Sequence, residues 1–494
     1  MKKYLSFLLA MLLTFSMILT GCSTEKKNNG KSEKEKKSGE FVVEGIGEDE
    51  YADYTVSGDL KVAINLSRPT DYEAVLDKFQ ELYPDVNLTI DYFSGSDVAD
   101  EYLAANAAAG TLPDVVFDEP GKLPIYVRQG WLYPLDEFVK DDPLFEDVDK
   151  GIISNYTFNG QLYALPNSLT FQVMILNNDI LNELNLDHPD LDWTIEDYTE
   201  LMKAATNSEY SGCETLTAWT DYGSAIFKGV GDKWGYSNET RQFNLTGSLL
   251  QSVKLMQNLN SIPGAVAERL KSTKDTSGET DYAKKFGSDS GTAAFNTGKV
   301  LMESSGTWKY SALESSLSYD WEMWTTPQDE AGRICMHVDH SFMCSTTQNP
   351  KAAFQLLRFL TYSVEGNYIR LAMYAEENKD AYVLNDRLYY PATTNKEVLK
   401  RFEELDTVTE VDMYFMENVE NAFRGDPFKY VPEYNEIHYS YLKKMINEIA
   451  VGGTDPTSQI TTLQAKVNDL MKTAWSNFEA DVAKVQSEFS ASHR

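Results

Sequence analysis

Two histidines and a carboxylate stand close together in His337-Val338-Asp339-His340, a grouping whose side chains can ligate zinc. On an extended strand, however, His337 and His340 point to opposite faces, and the chain has only 5 His, so no metal is expected. Ring-bearing residues are plentiful, and Tyr430, Tyr434 and His438 recur at i, i+4 and i+8, the spacing of one helix face. That stripe is either a stacking wall for a ligand or the buried face of a helix. With 76 acidic residues, carboxylate pairs arise by chance, and a glycoside-cleaving pair is defined by a separation that sequence does not give. No G-x-S-x-G, H-E-x-x-H or Walker A motif is present; Gly298-Lys299 lacks both the upstream glycine and the following Ser or Thr. Neither catalysis nor a cofactor is expected.

The chain that must position these residues has 494 of them, 42% hydrophobic and 24% charged, enough for at least two domains with cores. Its net charge of −32 argues against nucleic-acid binding, which needs a surplus of Lys and Arg. Residues 1–21 carry Lys2 and Lys3, then the apolar run Leu5 to Thr20, too short for a comfortable membrane span, and read as a signal peptide. The run ends Leu19-Thr20-Gly21-Cys22, which resembles a bacterial lipobox whose cysteine is acylated and becomes the first mature residue. Residues 22–40 continue as a polar tether; as a coil, its 18 residues after Cys22 reach on the order of 25 Å. From Phe41 onward, 36 basic and 72 acidic residues give the body a charge of −36. The body has no run of 18 apolar residues, so lipid on Cys22 is the expected membrane anchor. Of the three other cysteines, Cys335 and Cys344 could staple a local hairpin; the alternative is that Cys213, Cys335 and Cys344 are all small buried hydrophobes.

Asp59 to Leu66 reads as a strand, Tyr72 to Leu82 as a helix ended by Pro84, and Val86 to Tyr92 as a second strand. Asp97 to Ala109 reads as a helix and Asp114 to Phe117 as a buried strand. This β-α-β-α-β order opens a parallel sheet wrapped by helices, where ligands lie beyond the carboxyl ends of the strands. That rule singles out Asn65 to Arg68 and the pair Asp118 and Glu119. Asn159-Gly160 predicts a hairpin, Thr194 with Asp197 a capped helix start, and Tyr319 to Trp324 with Arg333 to Met343 a strand pair. Lys351 to Thr361, Tyr434 to Ala450 and Ser458 to Ala483 read as long amphipathic helices.

Seven of these segments, in order, resemble one family. They are Phe79-(x4)-Pro84 before a strand; Gly110-Thr111-Leu112-Pro113-Asp114-Val115-Val116; Gly130-Trp131-Leu132-Tyr133-Pro134-Leu135-Asp136; Asn159-Gly160-Gln161-Leu162-Tyr163-Ala164-Leu165-Pro166; Ala294 to Met302 followed by Ser305-Gly306-Thr307-Trp308; Trp321 to Pro327; and Ala353 to Thr361. The family is that of the family 1 extracellular solute-binding proteins, relatives of maltose-binding protein that serve ABC importers. The resemblance spans about Asp59 to Ala480 and implies an α/β, two-lobe periplasmic-binding-protein-like fold of type II, each lobe a parallel-rich sheet flanked by helices, with ligand held in the cleft at the hinge. Mapped here, the first lobe takes 59–165 plus 328–390 and the second 166–327 plus 391–494.

The resemblance also implies a carbohydrate ligand, a permease partner, and a monomeric lipoprotein on the outer face of a Gram-positive type of cell membrane. Sugars are recognised by aromatic faces beside planar polar groups. By resemblance, Trp308 stands at a turn that faces the cleft, Trp219 lies in a cleft loop of the second lobe, and Asn167 and Thr170 lie just past the hinge. Asp118, Glu119, Asn65 and Arg68 are candidates from the strand ends. His340, at a position where the family often has glycine, is expected to narrow the pocket; Tyr434 and His438 complete the set. The alternatives carried are a secreted carbohydrate-active enzyme and an orphan receptor that presents a non-sugar solute.

Overall fold

The computed structural model describes residues 49–492 apart from short stretches at 66–68, 95, 120, 217–218, 220–222, 224–226, 228–230, 291–292, 329–330, 379–380, 382–383, 385 and 444–454. The expected signal peptide, Cys22 and the expected tether therefore lie outside the described residues.

The chain opens as expected, with β1 (Gly58–Asn65), α1 (Pro69–Leu82), β2 (Val86–Phe93), α2 (Ser96–Ala109) and β3 (Val115–Glu119). β1 runs parallel to both β2 and β3. Val62, Ala63 and Ile64 of β1 and Val115, Val116 and Phe117 of β3 are fully buried, as apolar runs in a parallel sheet covered on both faces must be. α3 (Leu123–Arg128) and α4 (Lys150–Asn155) follow, then the hairpin β4 (Thr157–Phe158) and β5 (Gln161–Leu162), closed by Asn159-Gly160.

β6 (Leu165–Asn177) is buried along all thirteen residues. Its first half pairs antiparallel with β12 (Cys335–Met343), and its second half with β10 (Val300–Gly306) and β11 (Trp321–Trp324). One strand thus belongs to two half-sheets, and the order is β2-β1-β3-β12-β6-β10-β7, with β7 (Ser211–Cys213) at the far edge. Between these lie α5 (Ile195–Ala205), whose Thr194–Asp197 capping box forms as expected, and the ribbon β8 (Tyr236–Ser237) with β9 (Gln242–Phe243). α6 (Pro350–Thr361) and α7 (Val364–Ala372) cover the first half-sheet, β13 (Phe423–Arg424) extends β12, and α8 (Thr457–Ser492) ends the chain.

Two expectations change. The strands after Tyr319 and Arg333 exist but do not pair with each other, because both are taken up by β6. The long helix expected from Tyr434 to Ala450 is α-helical over Tyr434–Ile437 and then widens into a π-type turn, His438–Lys443, while 444–450 lie outside the described residues. Cys213, Cys335 and Cys344 are free and buried, so no staple forms.

Candidate functional site

Where β6 and β12 cross between the half-sheets, His337 is paired with Thr170 and Asp339 with Ser168. Directly paired residues share a face, so these four side chains form one patch. β10 ends opposite Gln172 at Gly306 and turns sharply, and Thr307 Oγ1 accepts a hydrogen bond from the Phe171 N–H at 3.1 Å. That turn carries Trp308 over the crossing, its ring centroid 4.9 Å from that of His337 at an interplanar angle of 72°. The indole is half-buried and lies back across Gly306, where a Cβ would sit only 2.2–2.4 Å from its six-membered ring. Glycine is required there by close approach rather than by backbone angle.

His337 is backed by Gly425 in the same way, since a Cβ there would meet its Nε2 at 2.5 Å. Burial pushes the His337 imidazole down to about 4, and the neighbouring Lys429, Lys233 and Arg424 push the same way against Asp426. The ring is neutral at physiological pH, with one nitrogen to donate and one to accept. Asp339 accepts from Lys429 Nζ at 2.7 Å, and Lys429 also donates to the Val338 carbonyl at 2.8 Å. Asp426 accepts from Val338 N–H at 2.8 Å and from Arg424 Nε at 3.0 Å; burial alone would raise its carboxyl, but Arg424 and Lys429 hold it down at about 2. Ser168, Thr170 and Thr307 also line a cavity of about 30 Å³ with Tyr72, Arg387 and Tyr389, room for one water. A ring face, a neutral imidazole and hydroxyls around a fixed ion pair suit a hydroxyl-rich ring as ligand.

The candidates divide. Trp308 and Thr170 are brought to this patch. Asn167 is fully buried beside it, its amide donating to Ser341 Oγ at 2.9 Å and its Oδ1 accepting from Ser168 Oγ at 2.8 Å. Asn65 is the buried last residue of β1. The backbones of Asp118 and Glu119 end β3, with Glu119 in register with His340; their side chains, and Arg68, lie outside the described set.

His340 needs correction. It is fully buried and packs on Tyr156 (5.4 Å), whereas His337, three residues earlier and on the other face, meets Trp308. Trp219 is buried edge-on against Tyr198 at 5.1 Å. Tyr434 and His438 are core: the Tyr434 hydroxyl donates to the Lys233 carbonyl at 3.0 Å, its ring packs on Tyr236 and Phe243, and His438 lies 5.2 Å from Trp234. Sequence reasoning missed His337, Ser168 and Thr307. The signal for His337 was its two-residue step from Asp339, readable only once the face holding Thr170 is known.

Glu303, three residues before Gly306, carries a measurable consequence. Its carboxylate accepts from the Thr215 N–H and hydroxyl, both at 3.1 Å, yet burial, reinforced by Glu214, pushes its pKa up to about 8. The folded state therefore holds a proton that the unfolded chain releases above about 4.5, so this group's contribution to stability falls as pH rises from there through 8. Glu303→Gln is expected to raise Tm by roughly 3 °C at pH 8.5 and by less than about 1 °C at pH 4.5. Paired melting curves at the two pH values check this; equal shifts at both would refute it.

Comparisons bear on the arrangement as a whole. A family model described as bacterial extracellular solute-binding protein matches residues 65–362. The polygalacturonan/rhamnogalacturonan-binding protein YtcQ of Bacillus subtilis is 30% identical over 117 residues, 23% of this chain and 23% of that relative. The ABC substrate-binding protein of Listeria monocytogenes in complex with cycloalternan superposes with a TM-score of 0.60 at 15% identity, over 84% of this chain and 99% of the other. The sugar-binding protein MalE of Xanthomonas citri gives 0.62 at 15% identity, over 85% and 99%. The fold is thus the two-lobe α/β fold of these structures, a mixed sheet flanked by helices.

Proposed function

Because the chain belongs to the bacterial extracellular solute-binding protein family, we propose that it is the receptor of an ABC importer, binding a mono- or oligosaccharide between its lobes and delivering it to the permease. The lobes are 59–165 with 328–390 and 166–327 with 391–494, joined where β6 and β12 cross. The observation that carries this reading is Trp308, held half-buried above the crossing and edge-on to a neutral His337, with Thr170 opposite that histidine. One pyranose fits such a platform: its C–H face on the indole, its hydroxyls toward imidazole and threonine. The saccharides bound by similar proteins, polygalacturonan and cycloalternan among them, support the ligand class. Asn65, Arg68, Asp118, Glu119 and Asn167 are proposed to border the cleft from the first lobe and hinge.

The protein works as a monomer on the outer face of the cell membrane, tethered by lipid on Cys22. The slightly basic tether lies at an anionic surface, while the −36 body is repelled from it.

Thermal shift against a panel of neutral and uronic saccharides, peptides and polyamines tests the reading, since a ligand that binds only the folded state raises Tm by mass action. A shift with at least one saccharide is expected. No shift with any saccharide, alongside a clear shift with a peptide or polyamine, would overturn it.

A further inference from the structure

A cavity of about 410 Å³ opens where the end of α4, the turn of the ribbon β8–β9 and the middle of α8 meet. The turn, Asn238-Glu239-Thr240-Arg241, ends on a residue whose φ of 56° lies in the left-handed region that few residues other than glycine occupy. Such a conformation persists where its surroundings over-determine it. Here they do so from α8: the Arg241 guanidinium lies 4.1 Å above the centroid of the Trp475 indole and meets the Glu479 carboxylate at 2.5 Å.

The opposite wall is an amide pair. Asn155, the last residue of α4 and 7% exposed, accepts at Oδ1 from Asn238 Nδ2 at 2.7 Å. Among the described residues nothing takes the Asn155 amide hydrogens or the Asn238 carbonyl oxygen, and both residues line the cavity. A nearly buried donor of this kind calls for a partner inside the cavity. Trp475 and Phe478, both buried on α8, give it an apolar floor.

This cavity is not part of the patch around His337. Tyr156, which follows Asn155, packs on His340, on the strand face opposite the one that carries His337 and Trp308. None of the residues walling it lines the crossing.

We propose that this cavity is a second saccharide site, independent of the Trp308 face and taking one neutral mono- or disaccharide unit. Its volume falls in the range of small-ligand pockets, about 300–1,000 Å³. The walls offer amide donors and acceptors beside a guanidinium, and the floor offers rings, a combination that suits hydroxyls on one side of a sugar and C–H groups on the other. Charge selects a neutral ligand. Arg241 is already matched by Glu479, and Glu239, exposed on the same turn, adds a further negative charge, so a uronate would have to displace one carboxylate and face another.

Fluorine NMR of protein carrying fluorotryptophan at its 8 tryptophans reads the two sites separately, with the Trp308 and Trp475 resonances assigned by Trp308→Phe and Trp475→Phe. Maltose, cellobiose and galactobiose are the neutral probes, and digalacturonate is the anionic one. The Trp475 resonance should move with at least one neutral disaccharide, at a midpoint of its own, and should still move in Trp308→Ala. Asn238→Ala/Arg241→Ala, checked for native circular dichroism, should raise that midpoint by about tenfold or more. A Trp475 resonance unmoved by every neutral probe, or one that follows the Trp308 midpoint and falls silent in Trp308→Ala, would overturn the second site. A response to digalacturonate as strong as to the neutral sugars would overturn its selectivity. A Trp308 resonance that ignores every sugar would count against the crossing as the binding cleft instead, and Trp475 alone would decide the second site.

Discussion

Trp308→Ala is expected to weaken saccharide binding by about 30- to 100-fold, roughly 2–3 kcal/mol, while moving the Tm of the unliganded protein by less than about 2 °C. The asymmetry follows from how the residue is held. Its ring is half-buried, rests on a glycine and meets His337 edge-on, so removing it opens little of the interior. The same ring is the indole face that stands beside His337 at the crossing, and with it goes the stacking it would give a pyranose. Titration calorimetry with the tightest saccharide from the thermal-shift panel, beside a melting curve without ligand, measures both. A large fall in Tm with affinity retained would make Trp308 a core residue and move the site elsewhere.

Arg358→Met should do the reverse. On α6, Arg358 is 2% exposed and reaches two carboxylates, Asp49 through Nη1 and Asp142 through Nε, both at 2.5 Å, while the Tyr362 hydroxyl donates to the same Asp142 at 2.7 Å. Methionine fills much of the volume but leaves two buried carboxylates without their cation. Losing one partner of a buried charge cluster costs about 3–5 kcal/mol. Urea unfolding should show that loss as a lower midpoint at unchanged slope, with saccharide affinity of the folded fraction unaltered. Adding Asp49→Asn and Asp142→Asn should restore part of the stability. A midpoint within the error of wild type would mean the cluster is solvated and structurally idle.

Much of this architecture could be read before any coordinates. The β1-α1-β2-α2-β3 order was legible because Val75, Leu76 and Phe79 recur at helical spacing between continuous apolar runs. β6 was harder: only Phe171 to Leu176 stood out, since Asn167, Ser168 and Thr170 look like loop residues, and Asn167 is accommodated in the interior by its hydrogen bonds to Ser341 and Ser168 rather than by apolarity. Neither strand after residue 319 announces that its partner is β6, because pairing between segments 150 residues apart leaves no local trace. Trp308 and Thr170 were singled out by resemblance, and the structure brings both to the patch around His337. His340 was singled out by its place in the resemblance; strand alternation puts it on the face opposite His337, and which of the two faces holds Trp308 is not written in the local sequence. The stripe Tyr430, Tyr434, His438 had helical spacing, but the helix ends at Ile437 and the rings pack inward.

The most direct test of the whole account is a crystal structure of the protein with the saccharide that gives the largest thermal shift. One pyranose should lie flat on the Trp308 indole, within hydrogen-bond reach of Thr170 and His337. Sugar density on any other surface, with the Trp308 ring uncontacted, would contradict the assignment of this crossing as the binding site.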